Sequence, residues 1–159
     1  MDTPETEHHR PFVGDDFVIP APPGTVTFVL APLEVAHNEA DLAAWSSSVD
    51  HIHATPGFEH HPWPDEPMTL ARNEADLRGH VEDRSMRRGF TYTVLSIPEH
   101  AVIGCVYIYP SPSSGVHAHV RSWVVASRHE LDAPLYRLVC DWLKAEWPFA
   151  TVEYAPRPA

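Results

Sequence analysis

Apolar residues along this chain fall into short runs with the two-residue period of strands and a few longer stretches with helical spacing, divided by polar, proline-rich segments. Thr25 to Leu30 (TVTFVL) alternates, placing Val26, Phe28 and Leu30 on one face, and predicts a strand closed by the turn residues Ala31 and Pro32. Asn38 with Asp41 three residues on, ahead of Leu42 and Trp45, has the form of a capping box and predicts a helix over Asn38–Ser48. The same pentapeptide, NEADL, returns at 73–77 and predicts a second helix reaching about Arg87, with Leu77 and Val81 turned inward. Two copies of a helix start do not make a repeat protein, which needs at least three stacked units. Between these helices, His51 to Pro67 holds four prolines and several histidines, and no regular element is expected.

Beyond Gly89 the period changes. Phe90–Ser96 and Ala101–Pro110 are β-branched and aromatic runs joined by Ile97-Pro98-Glu99-His100, which predicts an antiparallel hairpin. A further strand is expected over His117–Ala126. The helix after it has a broad apolar face (Leu131, Leu135, Leu138, Val139, Trp142, Leu143) stopped by Pro148, and a final strand is expected over Ala150–Tyr154. The order is β-α-α-β-β-β-α-β, an α/β (α+β) chain. Its strand–helix–strand unit near the C-terminus requires two parallel strands and a right-handed crossover. Ligands in such sheets sit at the carboxyl end of the first strand.

With 159 residues, of which 43% are hydrophobic, the chain builds one core and one domain. Residues 1–24 have the composition of a flexible or extended tail, with Pro4, Pro11, Pro20, Pro22 and Pro23 among acids. Phe12, Val13, Phe17, Val18 and Ile19 suit the end of that tail to lie along the domain, which runs over 25–159. No apolar run approaches the roughly 18–20 residues of a membrane span, and Met1–Gly24 lacks the apolar core of a signal peptide, so a cytoplasmic protein is expected. Cys105 and Cys140 lack C-x-x-C spacing and read as buried thiols. A formal charge of -11 excludes nucleic acid and anionic membrane as partners and suits an amine-bearing small molecule. His51, His53, His60 and His61 have no i, i+4 spacing and no cysteine or carboxylate placed to complete a four-ligand site, so no metal is expected.

The element order, with VIGCVYIYP as the second half of a hairpin, VRSWVVAS before a helix and WPFATVEYAP as the last strand, resembles the GNAT superfamily of acyl-CoA-dependent N-acetyltransferases over roughly Thr25–Pro156. The resemblance implies a GNAT-like mixed sheet and acetyl-CoA as co-substrate. It implies a V-shaped gap between the strands at 117–126 and 150–154 for the pantetheine, and a loop of pattern R/Q-x-x-G-x-G/A for the pyrophosphate. Laid on this chain, the cofactor-binding positions are Val124, Val125, Ala126, Ser127, Arg128 and Ala133. The centre of the loop departs from the pattern, since Leu131 stands where the first glycine belongs and Asp132 adds a carboxylate. Leu131 hinders the close backbone approach that glycine permits, and Asp132 either repels an anion or caps the helix.

The resemblance also implies a base for the amine, a backbone donor near Val125 for the thioester carbonyl, and an acid for the thiolate. His117 and His119 share one face of their strand by the two-residue period, and one GNAT member carries a His-x-His pair on the matching strand, with His119 nearer the usual base position. The family's tyrosine acid follows the last strand, beyond Ala159, so either Tyr154 stands in or the thiolate leaves unaided. His53 and Trp63 fall in the segment that covers the acceptor pocket in the resemblance, while Trp45 and Trp63 read as pocket wall or as core, with core favoured because large aromatics usually pack. With the family's final hairpin also missing, the open sheet edge favours a homodimer. The function implied is acetyl transfer from coenzyme A to an amine. The alternative is a GNAT-shaped binding or regulatory module without transfer activity.

Overall fold

A computed structural model describes residues 12–65 and 67–158. The strands are β1 (Phe28–Pro32), β2 (Phe90–Ser96), β3 (Val102–Pro110), β4 (Ala118–Val124) and β5 (Val152–Tyr154), and the helices are α1 (Asn38–Ser46), α2 (Val49–His53), α3 (Leu70–Ser85) and α4 (Asp132–Glu146). The sheet order is β1-β2-β3-β4-β5, antiparallel except for the last pair. This is the expected order with one addition, α2, a single turn too short to leave a periodic signature in the histidine-rich segment.

The sheet has two unlike faces. On one, Phe90, Tyr92 and Val94 of β2 register with Ile108, Val106 and Gly104 of β3, and α4 covers them with Leu135, Val139, Trp142 and Leu143, all buried. Tyr92 meets Trp142 edge-on at 5.2 Å, and Phe90 meets Trp147 at 5.1 Å. The chain from Phe12 to Gly24 lies against this domain. Phe12 stacks on Phe149 at 4.8 Å, Val13 is buried, and Arg87 donates to Gly14 O at 2.6 Å. The other face carries α1 and α3 over Cys105, Tyr107 and Trp123, and it is more polar.

Local chemistry moves several boundaries away from the pattern. Thr25 Oγ1 accepts from the backbone N–H of Thr27 and Phe28, both at 3.1 Å, and this turn swings Val26 out to 93% exposure. β1 therefore starts at Phe28 and continues through Ala31 and Pro32, where proline is tolerated because the strand is an edge. The expected capping boxes do not form. His37, not Asn38, precedes α1, and α3 begins at Leu70 behind Thr69, whose Oγ1 accepts from Arg72 N at 3.1 Å. The two NEADL copies meet each other instead. Asn73 Nδ2 donates to Asn38 Oδ1 at 2.8 Å and to Asp41 Oδ2 at 3.1 Å, while Asn73 Oδ1 accepts from Trp45 Nε1 at 3.1 Å. The repeated polar residues thus close a buried bridge between α1 and α3, and burial raises the Asp41 pKa above the usual carboxylate value.

Gly104 sits where β3 comes closest to β4, beside a register irregularity opposite Val94 and Leu95. A Cβ there falls 2.3 Å from the Trp123 carbonyl oxygen, a backbone atom that cannot turn away. Gly104→Ala is expected to cost about 1–3 kcal/mol, read as a lower urea midpoint at unchanged slope; an unchanged midpoint contradicts the close approach.

Candidate active site

A cavity of about 430 Å³ lies between α3 and the polar face of the sheet. The two-residue period of β4 brings His119 and Arg121 into it, and β3 adds Tyr107 and Tyr109 from the adjacent register positions. Trp63 closes one side, with its ring 5.9 Å from Phe58 and 6.2 Å from Tyr107. From α3 come Asp76, His80 and Asp83.

His119 is the one proposed base inside this cavity. Its Nδ1 lies 3.6 Å from Glu153 Oε1 on β5, an ion-pair distance beyond hydrogen-bond range. Both ring nitrogens are shielded and without a hydrogen-bond partner among the described residues. Burial, and then the Arg121 charge, hold its pKa below the ordinary histidine value, with Glu153 opposing them. The shift favours the neutral imidazole, whose ring nitrogens are closed to solvent in this structure.

His117 is placed elsewhere, which corrects the expectation of two imidazoles on one face. β4 begins at Ala118, and the backbone N–H of His117 is drawn to Thr151 Oγ1 at 2.9 Å. Outside the ladder the period no longer applies, and the ring turns to Phe12 and Phe149, at 6.0 and 4.9 Å. Of the residues expected in the acceptor wall, only Trp63 lines the cavity. Trp45 is fully buried in the Asn73 bridge, and His53 clamps the following loop, its Nε2 2.7 Å from Pro64 O.

One chain of polar contacts was not anticipated. Tyr109 donates to Asp83 Oδ2 at 2.8 Å, and His80 Nδ1 lies 2.7 Å from the same hydroxyl and 3.0 Å from Thr91 Oγ1. Burial lowers the His80 pKa. A signal existed, since Asn73, Leu77 and His80 follow helical spacing on the inward face of α3.

The fork between β4 and β5 adjoins His119. The parallel pair covers only Ala118–Val120 against Val152–Tyr154, after which the strands part. Val125 N–H is committed to Ile103 O at 2.9 Å, which removes it as a donor to a thioester carbonyl. Because ladder bonds alternate in direction along a strand, the backbone of Ser122 and Val124 faces the fork. By the same alternation the Val124 N–H points to the side of the fork.

The fork itself is filled. Arg157, its side chain 1% exposed, donates through Nε to Asp132 Oδ2 at 2.8 Å and through one terminal nitrogen to Ser122 O at 2.8 Å. Tyr154 joins it, with its hydroxyl bonded to Ser122 Oγ and its ring 5.6 Å from the guanidinium. Burial pushes the Tyr154 pKa far up, so the phenol stays protonated. Tyr154 stands on the α4 face, opposite His119.

The loop below offers an anion little. Residues Ala126–Leu131 form a 3₁₀ turn in which Ala126 N–H is used by Ser48 Oγ at 2.9 Å and Arg128 by Glu130 at 3.2 Å. Ala126 and Ser127 are exposed, and Ala133 lies in the first turn of α4. Asp132 neither caps α4 nor faces a ligand, because it holds Arg157. The parting of the strands fits a slender thiol-bearing arm once Arg157 is displaced, but the loop does not fit a pyrophosphate.

No family model matches the sequence, and no curated protein matches it significantly. Solved structures do match its fold. Ribosomal-protein-S5-alanine acetyltransferase from Vibrio fischeri aligns with a TM-score of 0.59 at 17% identity, over 78% of this chain and 67% of the other. A GnaT-family acetyltransferase structure from Bordetella pertussis gives 0.53 at 13% identity, over 79% and 73%. RimJ of Mycobacterium smegmatis, in complex with CoA-disulfide, gives 0.54 at 19% identity, over 82% and 63%. The splayed parallel pair, the helix crossing between its strands and these alignments agree: the chain has the fold of the GNAT acetyltransferases.

Proposed function

We propose that this protein transfers an acetyl group from a coenzyme A thioester to a small-molecule amine, as a cytoplasmic homodimer. The observation that supports the reading is an unpartnered imidazole, His119, on the paired stretch of β4 one residue before the strands' last pair, lining a cavity wide enough for an acceptor. When bound, the thioester supplies the electrophilic carbonyl and a thiolate leaving group. In this reading His119 would take the ammonium proton, with Glu153 Oε1 3.6 Å from its Nδ1, and the Val124 N–H would be the backbone donor to the thioester carbonyl. Tyr154 stands beside the fork, but burial raises its pKa well above that of a thiol, so in this reading the thiolate leaves unaided.

Arg157 favours a second reading, a GNAT-shaped binding module that transfers nothing, because its side chain holds the ground the pantetheine needs. The wild-type protein with millimolar acetyl-CoA separates the two. A ligand that binds only the folded state raises Tm, so a shift accompanied by thiol release with an amine supports transfer. No shift and no release supports the module.

His119→Ala is expected to lower kcat/KM by about 10²–10⁴-fold; unchanged turnover across pH removes His119 from the mechanism. In the wild type, kcat/KM should rise with pH through a pKa below the ordinary histidine value of about 6.5 and be level at pH 7, since the neutral imidazole is the active form. Glu153→Gln takes away the group that raises this pKa, so the acid limb should move to lower pH.

Arg157→Ala leaves Asp132 and the Ser122 carbonyl without their partner. The expected loss is about 3 kcal/mol of stability, measured in urea. The open fork should bind acetyl-CoA more tightly than the wild type does, and weaker binding would show that Arg157 assists the donor.

A further inference from the structure

Two charges at the cavity have no side-chain partner among the described residues, and they are opposite in sign. On the β4 wall, Arg121 donates through Nε to Gly57 O at 2.9 Å, while its terminal nitrogens make no hydrogen bond or ion pair among the described residues. The half-buried guanidinium acts on its surroundings, lowering the pKa of both His61 and His119. On the α3 side, Asp76 stands at the exposed rim, and it too makes no hydrogen bond or ion pair among the described residues. The neighbouring acids are engaged. Asp41 accepts from Asn73, and Asp83 accepts from Tyr109 and pairs with Arg88 at 3.3 Å.

The same cavity has an aromatic wall. Phe58, Trp63 and Tyr107 lie with ring centroids 5.9 to 6.5 Å apart. The planar fork of a guanidinium matches a carboxylate, and the free terminal nitrogens of Arg121 are open to one. An ammonium group is drawn both to a carboxylate and to aromatic faces. His119, with two shielded and unpaired ring nitrogens, adds a site for an N–H donor next to Arg121.

We infer that the cavity binds a small zwitterion whose carboxylate meets Arg121 and whose ammonium end, across an apolar middle, reaches Asp76. ω-Amino carboxylic acids and α-amino acids with a cationic side chain are the class. In the latter, the α-amine sits beside His119. Only the acylation of that amine rests on the transferase reading; the binding does not.

The test is isothermal titration of the full chain, without any acyl donor, using 6-aminohexanoate, lysine, hexanoate and hexylamine. The bipolar ligands are expected to bind at least tenfold more tightly than hexanoate or hexylamine. Asp76→Asn should reduce 6-aminohexanoate to the affinity of hexanoate and leave hexanoate itself unchanged, and Arg121→Gln should do the converse with hexylamine. Circular dichroism of each variant establishes that it is folded. Equal affinities across the four compounds, or no saturable binding of any, overturn the inference. An acetyl-CoA thermal shift with no zwitterion binding leaves the transferase reading standing alone, and zwitterion binding with no acetyl-CoA shift leaves only the binding site.

Discussion

The short parallel pairing of β5 with β4 is the constraint on which the rest of the molecule depends. Three residue pairs hold the strands together, and Pro156, which has no N–H to give, cannot extend the ladder past Tyr154 and Ala155. The backbone of β4 from Ser122 onward is then left with groups that need partners, and in this chain the answer is a side chain. Arg157 bonds to Ser122 O, Ala155 O and Asp132 together, so nearly every donor of its guanidinium is used. A buried cation is tolerable only when it is satisfied this fully. The same arrangement accounts for the unusual loop, because the acid at 132 serves the clasp and not the helix cap.

The sheet divides dry packing from polar chemistry. The α4 face is a continuous aromatic and aliphatic core running from Tyr92 through Trp142 and Trp147 to Phe149 and Phe12. The α3 face holds His80 and His119, the cavity and the buried Asn73 bridge. Shielding from water on that face lowers histidine pKa values and raises that of Asp41, which favours neutral groups.

The hairpin Phe90–Pro110 and helix α4 were legible because their patterns are long and strongly periodic. NEADL was legible as a repeated motif and misleading as a cap, because Asn and Asp satisfy a helix end or a buried neighbour equally well, and only the approach of α1 to α3 chooses. His117 and His119 differ by two residues in sequence, yet one belongs to the ladder and the other turns away with Thr151. That depends on where β4 begins, which a period cannot state. Leu131 and Asp132 were visible as departures from a glycine-bearing loop, but the reason lay 25 residues away at Arg157.

By itself the sequence determined most of the strands and helices and the parallel unit that closes the sheet, because periodicity is carried by neighbouring residues. Only the tertiary structure decided which histidine faces the cavity, which backbone amide is left for a ligand, and that an arginine fills the fork. Those outcomes depend on pairings between distant residues, where a hydrogen bond made in one place removes a donor or acceptor from another.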